Sequence, residues 1–392
     1  MKTRFKFRFY PVPRQAKELA RVFGCVRFAY NWGLRLRSDA YRNGKKKIDY
    51  HKSSALWTNL KREPKFSWLN EVSCVPTQQA LRHLQVAFVN FFEKRSRYPS
   101  FKSKHGPQSA EYTTSAFKWD PAKRNLVLSG LGRLRIRWSR EFESSPSTVT
   151  ITKDCAGRYF ATLCLDEAVK KLPKSADAVG IDFGVSRLAT LSSGERIANP
   201  KHFRCRERKL ARAQRILARR KKGSGRWRRQ KLKVARIHVR IADSRKDYLD
   251  KVTTGLVRRF GTICVEDLNL RGMVQNRCLA KSISDTGIGM AVRMLEYKAG
   301  RYGRKFVKID RFWPSSKTCH VCGHRLESLD LSVREWDCPE CKAHHDRDEN
   351  AAKNILAVGH TVTARGGSVR PVRATARAGK TRRSVNPPRR VS

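Results

Sequence analysis

Acids are scarce in this chain: 33 aspartates and glutamates face 86 lysines and arginines among 392 residues, a formal net charge of +53 at pH 7. Such an excess makes a compact state repel itself, so a polyanion that neutralises many of the charges is the economical partner, with nucleic acid first. Long apolar runs are missing as well. No stretch approaches the roughly 18–20 residues that span a bilayer, and the N-terminal MKTRFKFRFYPV alternates charge with aromatics where a signal peptide would place an apolar core. A cytoplasmic protein with no membrane partner is the expectation. Disulfide spacing is absent over most of the chain: of 11 cysteines seven stand singly, Cys25, Cys74, Cys205 and Cys278 among them, as thiols do in a reducing compartment.

What is present argues for folded modules, two or three of them: 40% hydrophobic residues, with 18 Phe and 8 Trp. Arg4 to Tyr10 sets Phe5, Phe7 and Phe9 against Arg4, Lys6 and Arg8, the period of a half-buried strand. From Arg14 to about Arg42, and again over Ala80–Phe92, apolar residues recur at helical steps. Alternation returns at Leu134, Ile136 and Trp138, at Val149 and Ile151, and at Tyr159, Ala161 and Leu163. This pattern predicts a β-barrel from residues 1–13 and 96–170, interrupted by a helical insertion at 14–95. KKLPKSAD, 170–177, reads as a linker.

Beyond the linker, AVGIDFGVSRLATLSSGERIANP, 178–200, reads as a hairpin. Residues 201–245 hold 19 Lys or Arg and only Glu207 and Asp243 as acids, on two helices joined at Gly223-Ser224-Gly225. TICVEDL at 262–268 and KFVKIDRF at 305–312 read as strands around a helix near 286–302. The last stretch, 357–392, is basic and rich in Gly, Pro, Ser and Thr, and disorder is expected there.

Two groups carry chemistry. Cys319-x-x-Cys322 and Cys338-x-x-Cys341, fifteen residues apart, have the spacing of a tetrahedral four-thiolate zinc site. A closed set of four thiolates is structural, and His320, His324, His344 and His345 are expected as contacts rather than ligands. The other group is acidic. Asp182 and Glu266 each end an apolar strand, and Asp348 begins the run ENAAKNIL. Singly, each has a plain structural reading as a turn, a strand exit or a helix cap, and Asp346 competes with Asp348 for the last of these. Gathered together in so cationic a chain, they call for a hard cation, Mg²⁺ or Mn²⁺, and two such ions suit phosphodiester hydrolysis. Asp182-Phe183-Gly184 also spells the kinase DFG, but no HRD loop, glycine-rich loop or V-A-I-K strand accompanies it.

These blocks resemble the TnpB (OrfB) family of insertion-sequence proteins, relatives of type V CRISPR effectors. GIDFGVSRLATLSSGERIANP is similar to the family's first RuvC motif, VEDLNLRGM to the second and HDRDENAAKNIL to the third, with CHVCGH and WDCPECK as its zinc ribbon; RYPSFKSK and ADSRKDYLDKVTT add to the likeness. The resemblance implies a multidomain α+β and α/β protein. It would have a wedge barrel with a helical recognition insertion, and an RNase H-like (RuvC) nuclease domain at 171–317 and 344–356 with the basic hairpin at 201–250. The zinc ribbon would occupy 318–343. It further implies a prokaryotic, nucleoid-associated RNA-guided DNA endonuclease, a possible monomer bound to one guide RNA from the transposon end, cutting double-stranded DNA beside a short motif. Asp182, Glu266 and Asp348 would be its metal-binding triad, and Asp346 a structural acid.

Tyr50, Ser54, Thr77, Gln78 and Gln79 are the candidates for reading that motif, since glutamine bonds adenine bidentately; ordinary helix-surface roles compete. Arg226, Trp227, Arg228 and Arg229 are candidates for gripping phosphate and stacking on a base, with a solvated basic face as the alternative. A guided binder that does not cut and a DDE-type transposase are the rival functions.

Overall fold

A computed structural model describes residues 2–44, 47–330 and 332–364. The chain forms two compact units: residues up to 171 together with 201–248, and 172–200 together with the described residues from 249 onward.

In the first unit the opening alternation becomes strand β1 (Lys2–Phe9), with Phe5, Phe7 and Phe9 buried. Helices α1 (Pro13–Arg42), α2 (Tyr50–Leu60) and α3 (Cys74–Phe92) follow, the last two separated by a 3₁₀ segment at Pro64–Glu71. Then come the strands β2 (Gln108–Thr113), β3 (Phe117–Asp120), β4 (Asn125–Leu128), β5 (Gly132–Arg133), β6 (Ile136–Arg137), β7 (Thr148–Lys153) and β8 (Tyr159–Asp166). Five of them form an antiparallel sheet in the order β2-β7-β8-β1-β6, and β3, β4 and β5 a separate meander. β1 pairs with β8 from Lys2↔Asp166 to Phe9↔Tyr159, so the three helices are an excursion between strands of one sheet. Their apolar stripes meet in a common core: Leu19, Val22, Val26 and Ala29 of α1, Trp57 of α2, and Leu81 and Leu84 of α3.

The basic stretch folds as α4 (Arg204–Ala218) and α5 (Gly225–Arg259). Leu210 and Ala213 pack against Ile237 and Ile241, and Gln230 Nε2 donates to the Ala213 carbonyl at 2.8 Å. By its contacts the stretch 201–248 belongs to the first unit. Arg158, in the turn between β7 and β8, bridges Asp154 and Asp243 and ties the hairpin to the sheet. α5 runs on past the expected hairpin boundary at residue 250 to Arg259, because Leu249, Leu256 and Val257 continue a buried stripe.

The second unit holds β9 (Ala178–Phe183), β10 (Arg187–Leu191), β11 (Arg196–Ala198), β12 (Thr262–Glu266), α6 (Leu270–Met273), α7 (Arg277–Thr286), α8 (Ile288–Tyr302), β13 (Lys305–Ile309), β14 (Glu335–Asp337), β15 (His344–Asp346) and α9 (Arg347–Ala364). Its main sheet has the order β11-β10-β9-β12-β13, with β9, β12 and β13 parallel and the other two antiparallel. Parallel strands are stable only with both faces covered. One face, with Val179, Ile181, Ile263 and Val265, packs on Leu256 and Val257 of α5 and Leu295 of α8. The other carries Cys264, Val307 and Ile309 against Ile355 of α9.

α9 sits close on that second face. A Cβ at Gly180 would lie 2.0 Å from the Ala352 carbonyl oxygen, and one at Gly359 would lie 2.3 Å from Cys264 Sγ. This corrects the disordered tail expected from residue 357: helix α9 runs on to Ala364, and Val358 and Val362 pack on the sheet. The rest of that tail, 365–392, lies outside the described residues.

Candidate active site

Period two along parallel strands sets the geometry. Cys264 pairs with Gly180 and Val265 with Ile181, so the next position on each strand is Glu266 and Asp182, on the same face as Cys264 and Gly180. α9 covers this face, with Ala352 over Gly180. Asp348 lies one helical turn before Ala352, toward the end of the sheet where both strand acids emerge. The three acids singled out from sequence therefore share one end of one sheet face.

Electrostatics report the same proximity. Burial, then the charges of Asp348 and Glu266, push Asp182 up to about 7, opposed by Arg347 and reinforced by Asp346. Glu266 is also raised, first by burial, while a hydrogen bond from Ser315 stabilises its ionised form. Asp348 has a longer contact to Arg334, 3.8 Å. A hard divalent cation would relieve the repulsion among these carboxylates, so the donor set fits Mg²⁺ or Mn²⁺.

Asp346 plays a different part. Its Oδ1 accepts from the backbone N–H of Asp348 and of Glu349, both at 3.0 Å, and its Oδ2 accepts from Arg196 at 2.7 Å. This is an N-cap held by an arginine, which leaves the Asp348 side chain to face the strands.

Cys319, Cys322, Cys338 and Cys341 bring their four sulfurs within 4.8 Å of one another, and among the described residues they are the only group of three or more His, Cys, Asp or Glu so tightly drawn. The three carboxylates stand further apart than that. Burial alone would raise Cys338, but backbone N–H groups of Cys341 and Glu340 and the neighbouring thiols bring it down, favouring the thiolate that zinc binds. β14 and β15 close the module with Trp336 paired to His345. Of the four nearby histidines none joins the cluster: His345 touches Cys319 Sγ at 3.1 Å, His320 bonds Asn350, His344 bonds Asp337, and His324 lies 3.9 Å from Glu340. So small a core depends on its ion. Replacing Cys338 by Ser should abolish stoichiometric zinc in the purified protein. Amide exchange should speed up across 318–346 and leave β9 and β12 protected; retained zinc or unchanged exchange would contradict the assignment.

The ribbon is bonded to α9 by residues that sequence reading did not select. Asn350 Oδ1 accepts from the His320 backbone N–H at 3.0 Å, and its Nδ2 donates to the Thr318 carbonyl at 2.8 Å. Asn354 Nδ2 donates to the carbonyls of Ser315 and Thr318 at 2.8 and 2.6 Å. The two asparagines are one helical turn apart on a face that looks amphipathic by composition alone. Their burial was the missing signal.

The nucleic-acid candidates divide. Thr77 is buried with its hydroxyl on the Cys74 carbonyl at 2.7 Å, and Gln79 is also buried, so neither side chain is presented for groove reading. Tyr50, Ser54 and Gln78 keep partial exposure, and Arg82 donates to the Tyr50 hydroxyl at 3.1 Å. Arg226, Arg228 and Arg229 are exposed; Trp227 is half-exposed with Lys231 over its ring at 5.0 Å.

The mixed α/β fold of this chain resembles that of solved CRISPR effectors. The chain matches the one titled "Cryo-EM structure of the Cas12f1-sgRNA-target DNA complex" with a TM-score of 0.56 at 13% identity, covering 91% of this chain and 98% of that one. It matches "Structure of the mini-RNA-guided endonuclease CRISPR-Cas_phi3" with a TM-score of 0.56 at 8% identity, over 91% and 92% of the two chains. These likenesses concern the fold.

Family models match residues 161–277 (OrfB_IS605, "Probable transposase"), 289–355 ("Cas12f1-like, TNB domain") and 1–46 ("Helix-turn-helix domain"). The last stretch is here a strand and one unbroken helix, β1 and α1. A Streptomyces pristinaespiralis protein named "Putative RNA-guided DNA endonuclease" is 47% identical over 99% of this chain and 97% of its own. InsQ of Escherichia coli K12, similarly named, is 34% identical over 92% and 93%. The chain belongs to the TnpB (OrfB) family.

Proposed function

We propose that this chain is a metal-dependent, RNA-guided DNA endonuclease of an insertion sequence. The observation that carries the reading is the convergence of Asp182, Glu266 and Asp348 on one sheet face, in a chain whose relatives bear that name and whose net charge is +53. Under this reading the second unit is an RNase H-like nuclease, the antiparallel sheet of the first is the wedge barrel, and α1 to α3 are its recognition insertion. A guide RNA from the transposon end pairs with the target, and the protein reads a short flanking duplex motif.

Asp182, Glu266 and Asp348 would hold two Mg²⁺ or Mn²⁺ ions; bound there, such ions lower the pKa of water and stabilise the leaving oxygen of a phosphodiester. The remaining work is done by the chain. Burial and the charges of Asp348 and Glu266 raise Asp182 to about 7, a repulsion that a bound cation would relieve. The hydrogen bond from Ser315 favours the ionised form of Glu266 against the effect of its burial. Asp346 anchors the first turn of α9 so that Asp348 enters from the helix side. The exposed arginines of the hairpin, Arg226, Arg228 and Arg229, meet phosphates along the bound nucleic acid.

The test is direct. Protein purified with its co-expressed RNA should cut DNA matching the guide next to the flanking motif in Mg²⁺, and not in EDTA. Intact DNA under matched conditions would sink the reading. Binding without cutting would favour a regulator, and strand-transfer products a transposase.

A further inference from the structure

Phe101 is 61% exposed and Tyr98 49% exposed, three residues apart in the loop that follows α3. Exposed aromatics on loops are commonplace, but these two are held rigidly. Asn31 of α1 clamps the next residue, donating from Nδ2 to the Lys102 carbonyl at 3.0 Å while its Oδ1 accepts from the Lys102 N–H at 2.8 Å. The Lys102 ammonium lies 4.0 Å from the Tyr30 ring centroid, over its face. Pro99 between the aromatics is buried. The Tyr98 hydroxyl is 2.8 Å from Ser38 Oγ, and its ring meets Phe91 edge-on at 5.2 Å. The backbone is thus bonded on both sides of Phe101, and its ring stays largely exposed.

Beside the two rings is an open cavity of about 410 Å³, walled on the α1 side by Leu34, Arg35, Asp39 and Arg42. Arg35 and Arg42 are exposed. Two exposed rings, the Arg42 guanidinium, and the Arg35–Asp39 ion pair, Nε to Oδ2 at 3.5 Å, match the needs of a single unpaired nucleotide. The base stacks, the phosphate meets arginine, and a ribose hydroxyl or base N–H finds Asp39.

We propose that Tyr98, Phe101 and the α1 arginines form a site for an unpaired base of the bound RNA. The inference rests on the proposed RNA-guided function and adds to it a specific contact. RNA is the occupant because a folded RNA offers loops and bulges with splayed bases, and because Asp39, whose Oδ2 pairs with Arg35, retains Oδ1 to accept from a 2′-hydroxyl that DNA lacks. Stacking reads strandedness more than sequence, so the site holds a bulged or looped nucleotide whatever its base.

The test compares the full chain with Phe101→Ala and Phe101→Trp, measuring the Kd for the co-purifying RNA and for a single-stranded DNA of the same sequence. Phe101→Ala should bind the RNA about tenfold or more weakly, melt as the wild type does and lose less on DNA; Phe101→Trp should restore RNA binding. If the wild type holds RNA and Phe101→Ala matches it within twofold, this inference alone falls. If the wild type holds no RNA, the proposed function falls with it. Equal losses on RNA and DNA overturn the RNA assignment, and so does binding to phosphatidylserine-containing vesicles that Phe101→Ala alone abolishes.

Discussion

Asp182→Asn is expected to lower guided cleavage at least about a thousandfold, equivalent to about 4 kcal/mol of transition-state stabilisation, and at the same time to stabilise the metal-free protein at pH 8. The second effect follows from the sign of the shift. Burial, then Asp348 and Glu266, lift the Asp182 carboxyl from 3.8 to about 7. A carboxyl that holds its proton more tightly when folded contributes stability below its unfolded pKa and loses it as the pH rises through the folded one. Metal-free protein should therefore weaken between about pH 4 and pH 7. With partial exposure and screening taken into account, the difference at pH 8 is about 1–3 kcal/mol. Urea unfolding at pH 5 and pH 8, with and without Mg²⁺, separates the contributions. At pH 8 without metal the variant should be the more stable, and Mg²⁺ should stabilise only the wild type. Equal stability at pH 8, or cleavage within tenfold of wild type, would refute the assignment of Asp182.

Gly180→Ala should be as damaging without touching a carboxylate. Its Cβ would lie 2.0 Å from the Ala352 carbonyl oxygen and 2.7 Å from the Leu356 nitrogen. Both obstacles are backbone, so α9 must lift off the sheet, carrying Asp348 away from Asp182 and loosening Ile355. Overpacking of this kind costs about 1–3 kcal/mol, with lost helix packing added to it. Both the melting temperature and the cleavage rate should fall. Gly359→Ala offers an internal comparison, because there the obstacle is the Cys264 side chain. Adding Cys264→Ala should recover part of the Gly359→Ala loss, whereas no side-chain change should rescue Gly180→Ala. Wild-type melting of Gly180→Ala would show that α9 is not seated as described.

Local patterns carried the sequence reading a long way. The Phe5, Phe7, Phe9 alternation, the amphipathic periods of α1 and α3, and the paired cysteine spacing are all written in short windows, and the structure has each of them. Asp346 and Asp348 separated on the residues of one motif, and the capping bonds of Asp346 have a geometry that suits that separation. What stayed hidden was non-local. Thr77 and Gln79 look like solvent-facing polar residues until α3 packs into the helical core. Lys298 is buried in α8, its ammonium shared among Asp250, Thr253 and Thr254 of α5, an arrangement no spacing rule announces. The order of strands in the second sheet depends on pairings across intervals longer than any periodicity window. α9 beyond residue 357 was obscured by the polycationic composition that follows it.

The seating of α9 also has a consequence for synthesis. β9 is made well before the helix that covers Gly180 and brings Asp348 to Asp182, which is encoded after the whole cysteine module. A nascent chain emerging from the ribosome displays two acids and an uncovered sheet face until residue 347 and the helix behind it have cleared the exit tunnel. Any product of premature termination before that point lacks the third carboxylate altogether. Under the proposed function, a chain with this order of elements lacks its third metal ligand until α9 has been synthesised.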